Sequence, residues 1–240
     1  MKILFNKTIK IGSRYYSLFD CVLILAMLYG VVTIEMVSWI GFVILIVAVV
    51  IHEVAHGLMA NVLGDPTAKN QGRLSLNPLV HVDPLGTVVL PLILVLMGSP
   101  FLFGWAKPVP VVPSYFKNQV RSMMWVALAG PVSNAILALI ASQALKFFII
   151  QGVLSSDHII TEALFSCVII NLVLALFNMI PIPPLDGSRV IMVVLPEFLK
   201  KIWTQLEHYG LFIVMGLVYL GVFDPILEFL IKLSLDLLFN

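Results

Sequence analysis

Charge is what this chain has least of. Only 11% of its 240 residues are Asp, Glu, Lys or Arg. A soluble domain carries about 25%, so a water-soluble globular class is excluded. Net charge is +1, which leaves no basic excess for a polyanion and argues against nucleic acid as a partner. Cysteine is scarce: Cys21 and Cys167 both fall in apolar runs and give no disulfide framework. Strict polar–apolar alternation over long stretches is missing, which excludes the strands of a membrane barrel. No cleavable leader, internal repeat, low-complexity tract or long linker is evident, so one domain over 1–240 is expected.

What is there is apolar and continuous. Hydrophobic residues fill 60% of positions and mean hydropathy is +1.06. Helices satisfy their own backbones in lipid. The fold class expected is therefore an all-α polytopic membrane protein, with a lipid bilayer as its surroundings. About six membrane-embedded helical segments are predicted: Leu18–Ile34, Met36–Ala60, Arg121–Ile150, Ile159–Met179, Tyr209–Val222 and Asp224–Phe239. The last carries Asp224, Glu228, Lys232 and Asp236 at four-residue spacing, so 224–240 reads as an amphipathic end segment. Met1–Ser17 alternates Ile3, Phe5, Ile9 and Ile11 with polar residues and predicts short strands with a turn. Gly64–Pro84 is polar and turn-rich, with a strand-like Gly72–Leu76; these short strands are expected at a cytoplasmic mouth.

Charge bias orients the spans. Lys2, Lys7, Lys10 and Arg14 hold the N-terminus in the cytoplasm. Leu85–Phe103 is apolar but broken by Pro91, Gly98 and Pro100. If it dips in and returns as a re-entrant segment, 12 of the 14 Lys and Arg are cytoplasmic. A full crossing would put Lys107, Lys117 and Arg121 outside and Asp186 on the face opposite His52. The re-entrant reading is the one adopted.

Against this background, His52-Glu53-Val54-Ala55-His56 stands inside an apolar run. Ionisable groups in hydrocarbon are costly and mark function by default. Residues four apart share a helix face. His52 and His56 can therefore hold one metal ion, with Glu53 beside them as general base toward a metal-bound water. Catalytic zinc needs a third protein ligand and an open position. Asp186 follows a predicted span that ends on the same side, after Pro181, Pro183 and Pro184. The bland reading is that Asp186 caps the helix beginning near Gly187, and spacing leaves both open. Arg189 reads as a positive-inside anchor. His81 and Asp83 read as turn structure rather than as a metal site.

The pairing of His52-Glu53-x-x-His56 with Asn178-x-x-Pro181-x-Pro183-x-Leu185-Asp186-Gly187 resembles the site-2 protease family of intramembrane zinc metalloproteases. Gly130-Pro131 and Gly104-Trp105-Ala106-Lys107-Pro108-Val109-Pro110-Val111 are similar to members of that family too. The likeness spans about Met36 to Arg189, the expected catalytic core (36–189). It implies one catalytic zinc ion held by His52, His56 and Asp186, with Glu53 as base. It also implies that Asn178 lies near the reaction centre, where its amide can donate to the substrate backbone or oxyanion; the alternative is a helix-end Asn satisfying free carbonyls. The chain has no room for the PDZ or nucleotide-sensing domains of many relatives.

The implied activity is zinc-dependent endoproteolysis of a transmembrane protein or peptide substrate, in or near its spans, as in regulated intramembrane proteolysis. Localisation follows as a multi-pass prokaryotic cytoplasmic membrane protein with its site toward the cytoplasm. An unwound substrate can pair with an exposed strand edge, and Gly72–Leu76, the N-terminal strands and Lys107–Pro113 are candidates; the alternative is that they only shield the mouth. A different class, a membrane metal-binding or transport protein without proteolysis, would need exchangeable sites along a path. Concentration of the ligands at one place beside a base favours hydrolysis.

Overall fold

A computed structural model describes residues 8–11, 14–17, 36–90, 93, 104–155 and 158–239. Two units result, Met1–Trp39 and Ile40–Asn240. In the first, β1 (Thr8–Ile11) and β2 (Arg14–Ser17) pair antiparallel, with Thr8 opposite Ser17 and Ile11 opposite Arg14. Two of the short strands predicted in Met1–Ser17 therefore pair. The predicted span Leu18–Ile34 lies outside the described residues.

The second unit is all-helical, with no strand among its described residues. α1 covers Met36–Val62. It closes where Gly64 takes φ +110° and the Asp65 and Gly64 N–H groups bond back to Ala60 O and Asn61 O, a left-handed glycine stop. The short α2 (Thr67–Asn70) follows. α3 (Gln119–Ile150) starts on Asn118, whose side chain accepts from Arg121 N. α4 covers Ile159–Asn178, and α5 is the short Asp186–Ile191. α6 (Glu197–Tyr219) and α7 (Asp224–Phe239) complete the chain.

One face of α3 explains the packing. Ala127, Gly130, Asn134, Ala138, Ala141 and Leu145 are buried at helical spacing. Small residues let helices approach closely where lipid supplies no hydrophobic drive. Ala138 and Ala141 meet Val168 and Leu172 of α4, while Val126 meets Ala60 at the end of α1. α1 runs antiparallel to α3, since Ala60 neighbours Val126 and the Ala48 carbonyl meets Asn134.

Three of the predicted spans lie in helices long and apolar enough to cross a membrane: Trp39–Val62, Gln119–Ile150 and Ile159–Asn178. The C-terminal expectation needs correction. Tyr209–Val222 is not a separate span but the end of α6, whose first half is polar (Lys200, Lys201, Glu207, His208). α6 and α7 are bent by 80° and count together as one span at most, so the described residues hold three spans, or four. Of the six expected segments, the five that fall on described residues correspond to three spans, or four. α7 is amphipathic as expected, with Asp224, Glu228, Lys232 and Asp236 exposed. Its apolar face is partnered: Leu235 and Leu238 pack on the α3–α4 cluster.

Gly72–Leu76 is a second correction. It is turn and irregular chain, not strand, because its backbone folds back on α2: Gly72 N donates to Lys69 O and Arg73 N to Ala68 O, with Gly72 at φ +66°. Arg73, buried, donates Nη2 to Lys107 O (2.6 Å) and Pro108 O (3.3 Å). The re-entrant reading of Leu85–Phe103 falls largely outside the described residues. Its described flanks meet: Trp105 N donates to Gly86 O, Thr87 Oγ1 to Trp105 O, and Lys107 N to His81 O. The chain thus comes back at Trp105 to the place it left at Gly86.

Candidate metal centre

α1 presents His52, Glu53 and His56 in its last three turns, and α5 brings Asp186 to them. Ligand atoms of His52, His56 and Asp186 all lie within 4.8 Å of one another. Asp186 Oδ2 is 3.1 Å from His52 Nε2 and 3.3 Å from His56 Nε2. Tetrahedral zinc with ligands at about 2.0–2.1 Å spaces its donors about 3.3 Å apart. The capping alternative for Asp186 is not realised: Leu185 is the N-cap of α5 and makes no side-chain cap bond. Prolines upstream and a close seat for Gly187, where a Cβ would lie 2.2 Å from Met179 O, fix where α5 begins.

The far nitrogens decide the chemistry. His56 Nδ1 donates to Val126 O at 2.7 Å. A carbonyl only accepts, so Nδ1 carries the proton and Nε2 is a bare lone pair in the neutral ring. His52 Nδ1 lies 2.6 Å from Asn134 Oδ1, with the same consequence. Two nitrogen lone pairs and a carboxylate oxygen then converge. Three acceptors at this separation repel unless a cation, either a metal ion or a proton on an imidazole, sits among them. Gly130 leaves the room: a Cβ there would lie 2.5 Å from His52 Nε2 and 2.6 Å from His56 Cε1. The donor set, spacing and space fit zinc.

Glu53 stands next to the set, and its Oε2 accepts from Val109 N at 2.9 Å. The proline-rich stretch around Val109 is irregular chain, paired with no strand among the described residues. Arg73 holds its carbonyls, and the buried carboxylate of Asp65 accepts from Val112 N at 2.6 Å. Burial pushes the Asp65 carboxyl up, but donors from the Thr67 hydroxyl, Val112 N–H and Thr67 N–H outweigh it and hold the carboxyl below the ordinary aspartate value.

Asn178 ends α4 and donates Nδ2 to Leu174 O at 3.0 Å. An amide nitrogen has two N–H groups, and Leu174 takes one. Arg189 pairs with Glu207 of α6, which anchors α5 rather than the reaction. His81, buried, donates Nε2 to Ser75 O at 2.8 Å, and Asp83 Oδ1 accepts from Leu85 N and Gly86 N. Both are turn structure, as expected. Sequence reading missed Asn134 and Asn171. A polar amide inside an apolar helix was the available signal.

Comparison with known proteins adds to this geometry. The profile of peptidase family M50 matches residues 147–221, which include Asp186. YwhC of Bacillus subtilis, which bears the name of a zinc metalloprotease, is 43% identical over 182 residues, 74% of this chain and 80% of that protein. Rip2 of Mycolicibacterium smegmatis, named in the same way, is 24% identical over 191 residues, 78% of this chain and 71% of that protein. Rip2 of Mycobacterium tuberculosis is 29% identical over 162 residues, 65% of this chain and 59% of that protein. No solved structure matches the chain. The class so defined is a zinc metalloendopeptidase with helices fit to cross a membrane. The chain belongs to peptidase family M50, the site-2 proteases.

Proposed function

We propose that this zinc metalloprotease cleaves peptide bonds in or near transmembrane segments of membrane proteins, as in regulated intramembrane proteolysis, using one catalytic domain. The observation that carries the reading is the position of the three converging donors on and beside α1, an apolar helix of spanning length. In this reading His52, His56 and Asp186 hold the metal through Nε2, Nε2 and the carboxylate. Bound zinc supplies an acidified water and polarises the substrate carbonyl. Glu53 takes the proton of the attacking water and passes it to the leaving amine. Its Oε2 is fixed by Val109 N–H, which leaves Oε1 as the proton acceptor. Asn178 offers its second amide N–H to the substrate backbone or oxyanion.

The site faces the cytoplasm in this reading. The basic N-terminal strands support it, as does the return of the chain at Gly86 and Trp105, which keeps Lys107, Lys117 and Arg121 on the side of His52 and Asp186. The membrane is a prokaryotic cytoplasmic one, as the bacterial relatives suit.

Membranes containing wild-type or Glu53→Gln protein, compared by fragment proteomics, test the function. Expected are fragments with ends in or near transmembrane segments that appear with wild type alone. A purified substrate should be cut about 10²–10⁴-fold more slowly by the variant. Equal fragments from both proteins would overturn the proposal.

A further inference from the structure

Resting on the reading of His52 as a zinc ligand, we infer that Asn134 is a positioning residue which, backed by Asn171, sets the tautomer and orientation of His52. The two asparagines are among the most buried side chains in the protein, at 0% and 1% exposure. They sit on α3 and α4, in the layer between the metal centre and the apolar cluster. Neither contributes a metal ligand, and burying an amide without partners is expensive.

Their hydrogen bonds run in one direction only. Asn171 Nδ2 donates to Cys167 O at 2.9 Å, one turn back on its own helix. That fixes which end of the Asn171 amide is the oxygen, and Asn171 Oδ1 accepts from Asn134 Nδ2 at 2.9 Å. Asn134 Nδ2 also reaches Ala48 O at 3.3 Å, one turn before His52 on α1. With its nitrogen engaged by two acceptors, Asn134 must present oxygen to His52, and it does so at 2.6 Å from Nδ1. An acceptor there requires the proton on Nδ1 and the lone pair on Nε2. The relay Cys167 O, Asn171, Asn134, His52 thus starts at a main-chain carbonyl, which cannot reverse, and ends at a nitrogen ready for metal. A single amide could flip; two in series, anchored on Cys167 O and Ala48 O, cannot do so without leaving a buried group unpaired. His56 reaches the same tautomer more simply, through Val126 O.

The test is zinc affinity of the purified full-length protein, measured by competition with a chelator, with the visible absorption of the cobalt-substituted protein as a second readout. Losing a partner of a ligating His costs about 10–100-fold in metal affinity. Asn134→Leu, close in shape and without an acceptor, should fall in that range and change the cobalt spectrum. Asn134→Asp keeps an oxygen against His52 Nδ1, although its second oxygen, facing Asn171 Oδ1 and Ala48 O, costs stability of the fold. It should hold zinc close to wild type, a rescue that packing alone does not predict. Asn171→Leu should lie at the low end, about 10-fold. Wild-type affinity and spectrum in Asn134→Leu overturn the relay, as does a loss in Asn134→Asp equal to that in Asn134→Leu. If Asn134→Leu does not accumulate, Asn171→Leu decides, and unchanged affinity and spectrum there overturn it. A failure of the ligand reading looks different, because zinc would then be retained in His52→Ala.

Discussion

Among the described residues, His52, His56 and Asp186 on one side and His81 and Asp83 on the other use the same atoms in opposite ways. In the bundle, His52 and His56 give their Nδ1 protons to Asn134 and Val126 and turn bare Nε2 atoms toward Asp186. On the loop after α2, His81 donates from Nε2 to Ser75 O, and the Asp83 carboxylate accepts from two backbone N–H groups. Both groups are partly or wholly buried, and both look like metal ligands in a list of residue types. The nitrogen already committed to a carbonyl is what separates them. A histidine whose partners leave Nε2 facing another acceptor invites a cation; one that donates from Nε2 to the main chain holds a loop.

The largest effects should break this comparison outright if it is wrong. Asp186→Ala leaves two imidazoles and no carboxylate, and should lose bound zinc and all proteolysis. His81→Ala should keep zinc at the wild-type level, with a stability loss of about 1–3 kcal/mol from the unpaired Ser75 carbonyl. Elemental analysis of the purified proteins checks both. Zinc lost in His81→Ala and kept in Asp186→Ala would reverse the assignment.

Gly130→Ala is a finer probe, because it adds one methyl and removes no polar group. The new Cβ would sit 2.5 Å from His52 Nε2, so the ring must move off its bond to Asn134 or the helices must part. Zinc affinity should fall by about 10–100-fold, the size seen when a ligating His loses its orientation. Ala at Gly72, where nothing lies within 4 Å but φ is +66°, should strain only its own loop and leave zinc unchanged. Equal zinc affinity in the two variants would show that the space beside the imidazoles is not needed.

The bundle and the loops also differ in what sequence made legible. His52, His56 and Asp186 were readable because an i, i+4 pair and a proline-bounded acid are local patterns, and the structure brings all three together. The spans around Trp39–Val62, Gln119–Ile150 and Ile159–Asn178 were readable because length and hydropathy suffice. Asn134 was not, since its meaning lies in a bond to a residue 82 positions away. Gly72–Leu76 misled for the reverse reason: alternation in five residues does not reveal that Gly72 and Arg73 turn their N–H groups back to Lys69 O and Ala68 O at the end of α2. Tyr209–Val222 misled because a window of apolar residues does not reveal that its helix starts at Glu197, or that it bends by 80° into the next one.

Asp65 sharpens the comparison most gently. It is a wholly buried carboxylate, like Asp186 a few residues from a helix end, yet its neighbours are N–H and O–H donors from Thr67 and Val112 rather than imidazole lone pairs. Such a carboxylate is satisfied without a metal. Its carboxyl is held below the ordinary aspartate value, burial opposing and the three donors prevailing. The sign follows from linkage: the folded state binds the proton less readily than the unfolded one, so the carboxylate stabilises the fold fully above the unfolded value, about 3.9. That stabilisation is lost as pH falls from there through the lower folded value. Asp65→Asn keeps one acceptor and loses the charge, and should cost about 1–3 kcal/mol at pH 7. The difference between the two proteins should shrink below about pH 4, as read by thermal unfolding in detergent. A gap that stays constant down to pH 3 would mean that the charge of Asp65 contributes nothing to holding the loop that carries Val109 over Glu53.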